Sequence, residues 1–166
     1  MKEIAVLDTS FLVNIKLLNI LKYLCEVFNE IIISPEVWNE SYQFHSELEN
    51  LACIKILRLE NEEIDKVNQL HDEFKQSYPG KHRGEIEALV LSQSRGYSLV
   101  VSDNFAPWYI RKHHDEYSKV NIFRGTYFIA RLIEIGVLEV DFTEKLKGIY
   151  SIKDISRIRK RYSNHE

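Results

Sequence analysis

An α/β fold of three layers around a central, mostly parallel sheet of four to five strands follows from three observations. Short apolar runs alternate along the chain with stretches at helical spacing. The runs are apolar throughout, so both of their faces must be covered, as in a parallel sheet between helices. Acidic residues recur just after the runs, where the strands of such a sheet end. The chain has 166 residues, which suits one domain over 1–166. Hydrophobic residues at 45% and aromatic residues at 11% exclude a disordered chain.

The elements read as follows. Residues 4–7 are a buried strand. Residues 10–28 carry Phe11, Leu12, Ile15, Leu18, Leu21 and Leu24 at helical spacing. Residues 30–34 are a second strand, and Ser34-Pro35 starts a helix with Ser as cap and Pro in the first position. Residues 53–59 are a third β-like run. Residues 61–76 are a charged helix with a narrow apolar stripe of Ile64, Val67, Leu70 and Phe74. Tyr78-Pro79-Gly80 is a turn. Gly84 opens a helix that Gly96 closes. Residues 99–101 are a fourth strand, a helix follows from Asp103-Asn104 to about His113, and residues 120–123 are a fifth strand. Residues 125–136 are helical, and the tail repeats apolar residues at helical spacing through Ile158, a helical extension over about 126–166.

The net charge is −3, from 22 basic and 25 acidic residues. That disfavours a protein that wraps nucleic acid non-specifically; contact with phosphate then requires a local basic patch or bound cations. Cys25 and Cys53 sit in apolar surroundings and do not make a disulfide framework, which points to unpaired core thiols in a reducing, cytoplasmic setting. The start of the chain reads as a strand and not as a targeting signal, and no apolar stretch has the length of a membrane span, so no membrane partner is expected.

The acids are the chemical signal. Asp8 follows the first strand, Asp103 the fourth, Glu85 lies in the first turn of the helix leading into the fourth, and Glu40 lies about two turns into the helix after the second. Each has a plain reading: Asp8 and Asp103 as helix caps, Glu85 and Glu87 as partners of a helix dipole, Glu36 likewise, and Glu40 as a solvated residue. Their conjunction at strand ends is harder to explain by caps alone. Clustered carboxylates repel, and a divalent cation relieves them; an all-oxygen donor set selects Mg²⁺ or Mn²⁺. Ser10 is placed to orient Asp8, Asn104 is a weaker polar neighbour, and Glu87 is a second-tier acid with Arg83 as its i,i+4 partner. The six histidines show no zinc spacing and read as surface or supporting residues. Lys81, His82 and Arg83 border Glu85, and Arg111 and Lys112 lie on the helix after Asp103; Lys81, Arg83, Arg111 and Lys112 are candidate phosphate contacts. Arg157, Arg159, Lys160 and Arg161 form a terminal basic run that is either a solubilising tail or a docking patch. Trp38, Trp108 and Tyr109 are either base-stacking or core residues.

Three pieces resemble the PIN-domain nucleases: "VLDTS" with Asp8, "IISPEVWNE" with Glu40, and "RGEIEALVLSQSRGYSLVVSDN" with Glu85 and Asp103. The similarity covers about residues 3–125, and the G-E-x-E-A form is similar to one prokaryotic branch. Taking Glu85 as the third acid suits the family's layout better than taking Glu87. The resemblance implies a PIN-like fold related to flap endonucleases. It also implies Mg²⁺- or Mn²⁺-dependent hydrolysis of RNA, with Asp8, Glu40, Glu85 and Asp103 as the metal-holding and catalytic acids. Many small prokaryotic members are toxins of toxin–antitoxin pairs and homodimers, so a second copy and an antitoxin protein are expected partners. The narrow stripe of 61–76 points to a dimer as well. The competing class is a PIN-like module that binds RNA or protein without catalysis. A haloacid-dehalogenase-like phosphatase also has an acid after its first strand, but position 10 is Ser where a second acid belongs.

Overall fold

The computed structural model describes residues 3–80 and 83–163. Five strands, β1 (Glu3–Leu7), β2 (Phe28–Ile33), β3 (Ile54–Ile56), β4 (Ser98–Val101) and β5 (Ile122–Arg124), form one sheet in the order β3-β2-β1-β4-β5. Every neighbouring pair is parallel. The chain starts at the centre, winds outward through β2 and β3, then returns to the other side of β1. That reversal leaves a crevice between the carboxyl ends of β1 and β4, the place where open parallel sheets put their sites.

Ten helices connect and cover the strands in the described residues: α1 (Thr9–Leu17), α2 (Leu24–Val27), α3 (Pro35–Glu40), α4 (His45–Glu49), α5 (Asn61–Ser77), α6 (Arg83–Arg95), α7 (Phe105–Lys112), α8 (His114–Tyr117), α9 (Gly125–Glu134) and α10 (Ile152–Tyr162). Strand residues alternate between the two faces. Ala5, Leu7, Ile31, Ile33 and Val100 join the core under α1, α2, α9 and α10. Val6, Ile32, Leu99 and Val101 join the core under α5, α6 and α7. The segment after residue 125 belongs to the first of these cores through Phe128, Leu132, Leu146, Ile155 and Ile158.

Three expectations need correction. The helix expected over 10–28 breaks, because Asn19 takes a left-handed backbone (φ 57°) after α1 and the chain restarts as a 3-10 turn and α2; asparagine tolerates that conformation better than most residues. The third strand is shorter than expected, since only Ile54–Ile56 pairs with β2 at the sheet edge. Finally, Cys25 and Cys53 are joined in a disulfide. Cys25 lies just before β2 and Cys53 just before β3, and parallel neighbours bring such positions side by side; the Cys53 carbonyl already accepts from Ile31 N at 2.7 Å. The expectation of unpaired thiols, and with it the premise for a reducing setting, falls. Closing a loop of this length lowers unfolded-state entropy, a stabilisation of about 3.5 kcal/mol. Among the described residues no helix is long and apolar enough to cross a membrane.

Most of the stripe on α5 is used inside the chain: Val67, Leu70 and Phe74 are buried in the second core, and Ile64 is 38% exposed. The dimer expectation then rests mainly on the family resemblance. α5 is fastened to α6 by one buried acid. Glu63 caps its own helix by accepting from Glu60 N at 2.7 Å, and also accepts from Arg95 Nε at 2.6 Å and Ser94 Oγ at 2.5 Å. The Arg95 guanidinium, aided by Ser94, holds the Glu63 carboxyl at about 2 against an ordinary 4.5. A depressed folded-state value stabilises fully above the unfolded value, and the stabilisation is lost as pH falls through the window between them. Glu63→Gln should therefore cost on the order of 2 kcal/mol at neutral pH in denaturant melts. The gap from wild type should shrink steadily as pH drops from 4.5 toward 2. A gap that is unchanged at the acid end would contradict this.

Candidate metal centre

Asp8, Glu85 and Asp103 come together at the crevice: one carboxylate oxygen from each lies within 4.8 Å of the other two. Asp8 is carried there by β1 and Asp103 by the loop after β4, two strands paired in register from Ala5–Ser98 to Leu7–Val100. Glu85 is carried by the first turn of α6, which crosses toward the same strand ends. Asp8 is only 2% exposed, while Glu85 and Asp103 are half-buried.

Each acid has its orientation set by neighbours. Asp8 is the N-cap of α1: one oxygen accepts from Phe11 N at 2.8 Å and the other from Ser10 Oγ at 2.7 Å. Capping and ligation are compatible here, since a carboxylate oxygen has two acceptor sites and a cap uses one. Asp103 accepts from Phe105 N at 3.0 Å, a turn at the entry to α7. Its loop is gripped from outside by Arg124, whose guanidinium donates to the Asp103 carbonyl, to Ser102 O at 3.4 Å and to Asn104 Oδ1 at 2.7 Å. Asn104 therefore serves the loop, through Arg124.

Glu40 stands beside the trio instead of within it. Its carboxylate accepts from Thr9 Oγ1 and from Gly84 N at 3.3 Å. Thr9 follows Asp8 and Gly84 precedes Glu85, so Glu40 ties together the two segments that carry those acids. The approach is close: a Cβ on Gly84 would lie 2.5 Å from Glu40 Oε2, so a larger residue there would push the Glu40 carboxylate aside. Glu87 is elsewhere. It is buried, accepts from Glu36 N at 3.0 Å and from Arg83 Nε at 3.3 Å, and so caps α3 and pins it to α6. Of these two acids, two residues apart on α6, only Glu85 reaches the crevice.

The basic candidates lie further out. Arg83 is engaged by Glu87. Arg111 and Lys112 are in the last turn of α7, about 12 Å along the helix from Asp103, and the Lys112 ammonium lies 5.1 Å from the Trp108 ring centre. Lys81, with His82 and His165, lies outside the described residues. Trp38 stacks on His45 at 3.8 Å and Tyr109 is buried, leaving Trp108 the exposed member of its cluster. Two contributors have no signal in the acid motifs. Arg124 is one. Tyr150 is the other: its hydroxyl lies 3.3 Å from Ser102 Oγ and against Gly125, where a Cβ would collide with it. Burial pushes the Tyr150 hydroxyl up, against the hydrogen bonds of Ser102 and Asn14, and the Asp8 charge adds to the rise.

The donor set fits a hard divalent cation. All three groups are carboxylates, and ligands about 2.1 Å from an octahedral ion stand about 3 Å apart in cis and about 4.2 Å in trans. The observed spacing is close to that range, so small side-chain movements suffice. Such an ion would also offset three like charges gathered at one place, one of them buried.

A family model described as a PIN domain matches residues 4–110, the stretch that holds Asp8, Glu40, Glu85 and Asp103. No curated protein matches the chain.

Asp8→Asn and Asp8→Ala separate the cap from the charge. Both remove the charge, but asparagine caps as well as aspartate. In the absence of metal, Asp8→Asn should melt at or above wild type, and Asp8→Ala about 1 kcal/mol below Asp8→Asn. Equal melting of the two variants would show that the Phe11 amide bond does not hold the start of α1.

Proposed function

The chain belongs to the PIN-domain family, and from that premise, together with the Asp8, Glu85 and Asp103 trio, we propose that it is a nuclease that hydrolyses RNA phosphodiester bonds with bound Mg²⁺ or Mn²⁺. The observation that carries this reading is the convergence of three carboxylates at the crevice between β1 and β4. An RNA phosphate is an anion and would be repelled by the bare trio. The same three groups become a binding site for it once a divalent cation is held there. When bound, such an ion would supply Lewis acidity toward the phosphate oxygens and a more acidic water.

The chain's own part is to hold and to orient. Asp8, Glu85 and Asp103 are the holding groups. Ser10 and the Phe11 amide keep Asp8 in one rotamer, so no reorganisation is needed as charge develops on the phosphate. Arg124 keeps the Asp103 loop in place. Glu40 keeps the Asp8 and Glu85 segments at a fixed separation, and its role is positioning. The family likeness supports RNA as the substrate; a toxin role with an antitoxin partner, and a homodimer, are parts of the same proposal carried by that likeness.

A labelled single-stranded RNA should be cleaved internally by the purified protein with millimolar Mn²⁺ or Mg²⁺, and excess chelator should stop it. Asp8→Asn should lower the rate by about a hundredfold or more, while Glu36→Gln should cleave like wild type. Mn²⁺ should raise the melting temperature of wild type by linkage and that of Asp8→Asn far less. Cleavage that persists in chelator, or an Asp8→Asn variant at wild-type rate, would contradict the proposal. Binding of RNA without cleavage under any metal would instead favour a silent module.

A further inference from the structure

The basic run at the end of the chain divides in two when placed on α10. Arg159 turns inward, donating to Thr143 Oγ1 at 2.8 Å and pairing with Glu144. Arg157 and Arg161, one helical turn apart, face a groove of about 320 Å³ between α10, the edge strand β5 and the start of α9. Phe123, Arg124 and Tyr127 line its other side. The Phe123 and Tyr127 rings stack at 4.2 Å with planes 17° apart. One acid, Asp154, lines the groove against three arginines; its carboxylate accepts from Ser151 Oγ at 2.6 Å and pairs loosely with Arg157 at 3.5 Å, an exposed contact that a phosphate can replace. On a chain of net charge −3 this is a local excess of positive charge.

Arg124 belongs to both places. It lines the groove, and its guanidinium ends on Ser102, Asp103 and Asn104. Its backbone is in register with Val101, two residues before Asp103. Arg124 therefore links the groove to the loop that carries one of the clustered acids. It also lies beyond residue 110, outside the stretch matched by the family.

We propose that this groove holds the strand of single-stranded nucleic acid on one side of the cleaved bond, with phosphates on Arg157 and Arg161 and an unstacked base on the Phe123–Tyr127 pair. Arginine's planar fork suits phosphate oxygens. Aromatic faces accept any base, but only one freed from its own stack, which selects a single strand over a duplex. The inference deepens the nuclease reading and rests on it for the nature of the ligand. Its test is read in chelator, so binding and cleavage succeed or fail separately.

The measurement is fluorescence anisotropy of a labelled twelve-nucleotide single-stranded RNA, in EDTA, across a range of salt. Wild type should bind. The double variant Arg157→Gln/Arg161→Gln should bind about tenfold more weakly, and the slope of log affinity on log salt should fall by about 1.4, about 0.7 for each lost phosphate contact. Lys160→Gln removes the same charge from a neighbouring position that does not line the groove, and should bind like wild type. Tyr127→Leu keeps apolar packing but removes the ring, and should weaken binding about fivefold or more. Both arginines are exposed, so melting temperatures of their variants should match wild type. Wild-type affinity in the double variant, equal losses from Lys160→Gln, or tighter binding of a duplex of the same length would each overturn the proposal. Binding that follows the predicted pattern without cleavage in Mn²⁺ would leave the groove standing and remove the nuclease reading.

Discussion

Three carboxylates held within 4.8 Å of one another repel, and much of this fold is arranged to keep them there. The sheet order supplies the crevice, since β1 and β4 are neighbours whose following segments lead apart. The rest is restraint. α1 is capped by Asp8 itself, so the acid cannot leave without unsatisfying a backbone amide at the helix start. Glu40 binds the residue after Asp8 and the residue before Glu85, adding a fourth acid to hold two others in place. Glu87 pins α3 to α6 and thereby fixes the helix from which Glu40 projects.

The parts of this arrangement that sequence reveals are those governed by local rules. Apolar runs in a parallel sheet are buried on both faces, so the strands at 4–7, 30–34 and 99–101 are readable without knowing their neighbours, and so is the acid that follows the first and the fourth. Glu85 can be preferred to Glu87 on family spacing, and the fold gives the physical reason: residues two apart on a helix point in different directions, one to the crevice and one to α3. Ser10 beside Asp8 is likewise local.

What sequence hides depends on partners far along the chain. The Cys25–Cys53 disulfide needs the β2–β3 pairing to be known. The break at Asn19 is invisible to periodicity, because the apolar spacing continues through it into α2. Glu40 carries an acid's signature but takes a supporting position, since its contacts to Thr9 and Gly84 are 31 and 44 residues away in sequence. Arg124 and Tyr150 belong to no acid motif, yet they come back to the loop after β4 from the other end of the chain. The segment after residue 125 is therefore more than an appendage: it fills the core under β1 and brings a tyrosine to the loop that carries Asp103.

The central claim is that the trio is a metal centre and not a set of helix caps that happen to meet. Crystals grown or soaked with Mn²⁺ and measured for anomalous scattering test it most directly. The account predicts a peak at the crevice within about 2.3 Å of oxygens from Asp8, Glu85 and Asp103, with Glu40 still on Thr9 and Gly84. The peak should be absent in crystals of Asp8→Asn. No peak at the crevice, or a peak only at surface acids such as those of α5, would contradict it.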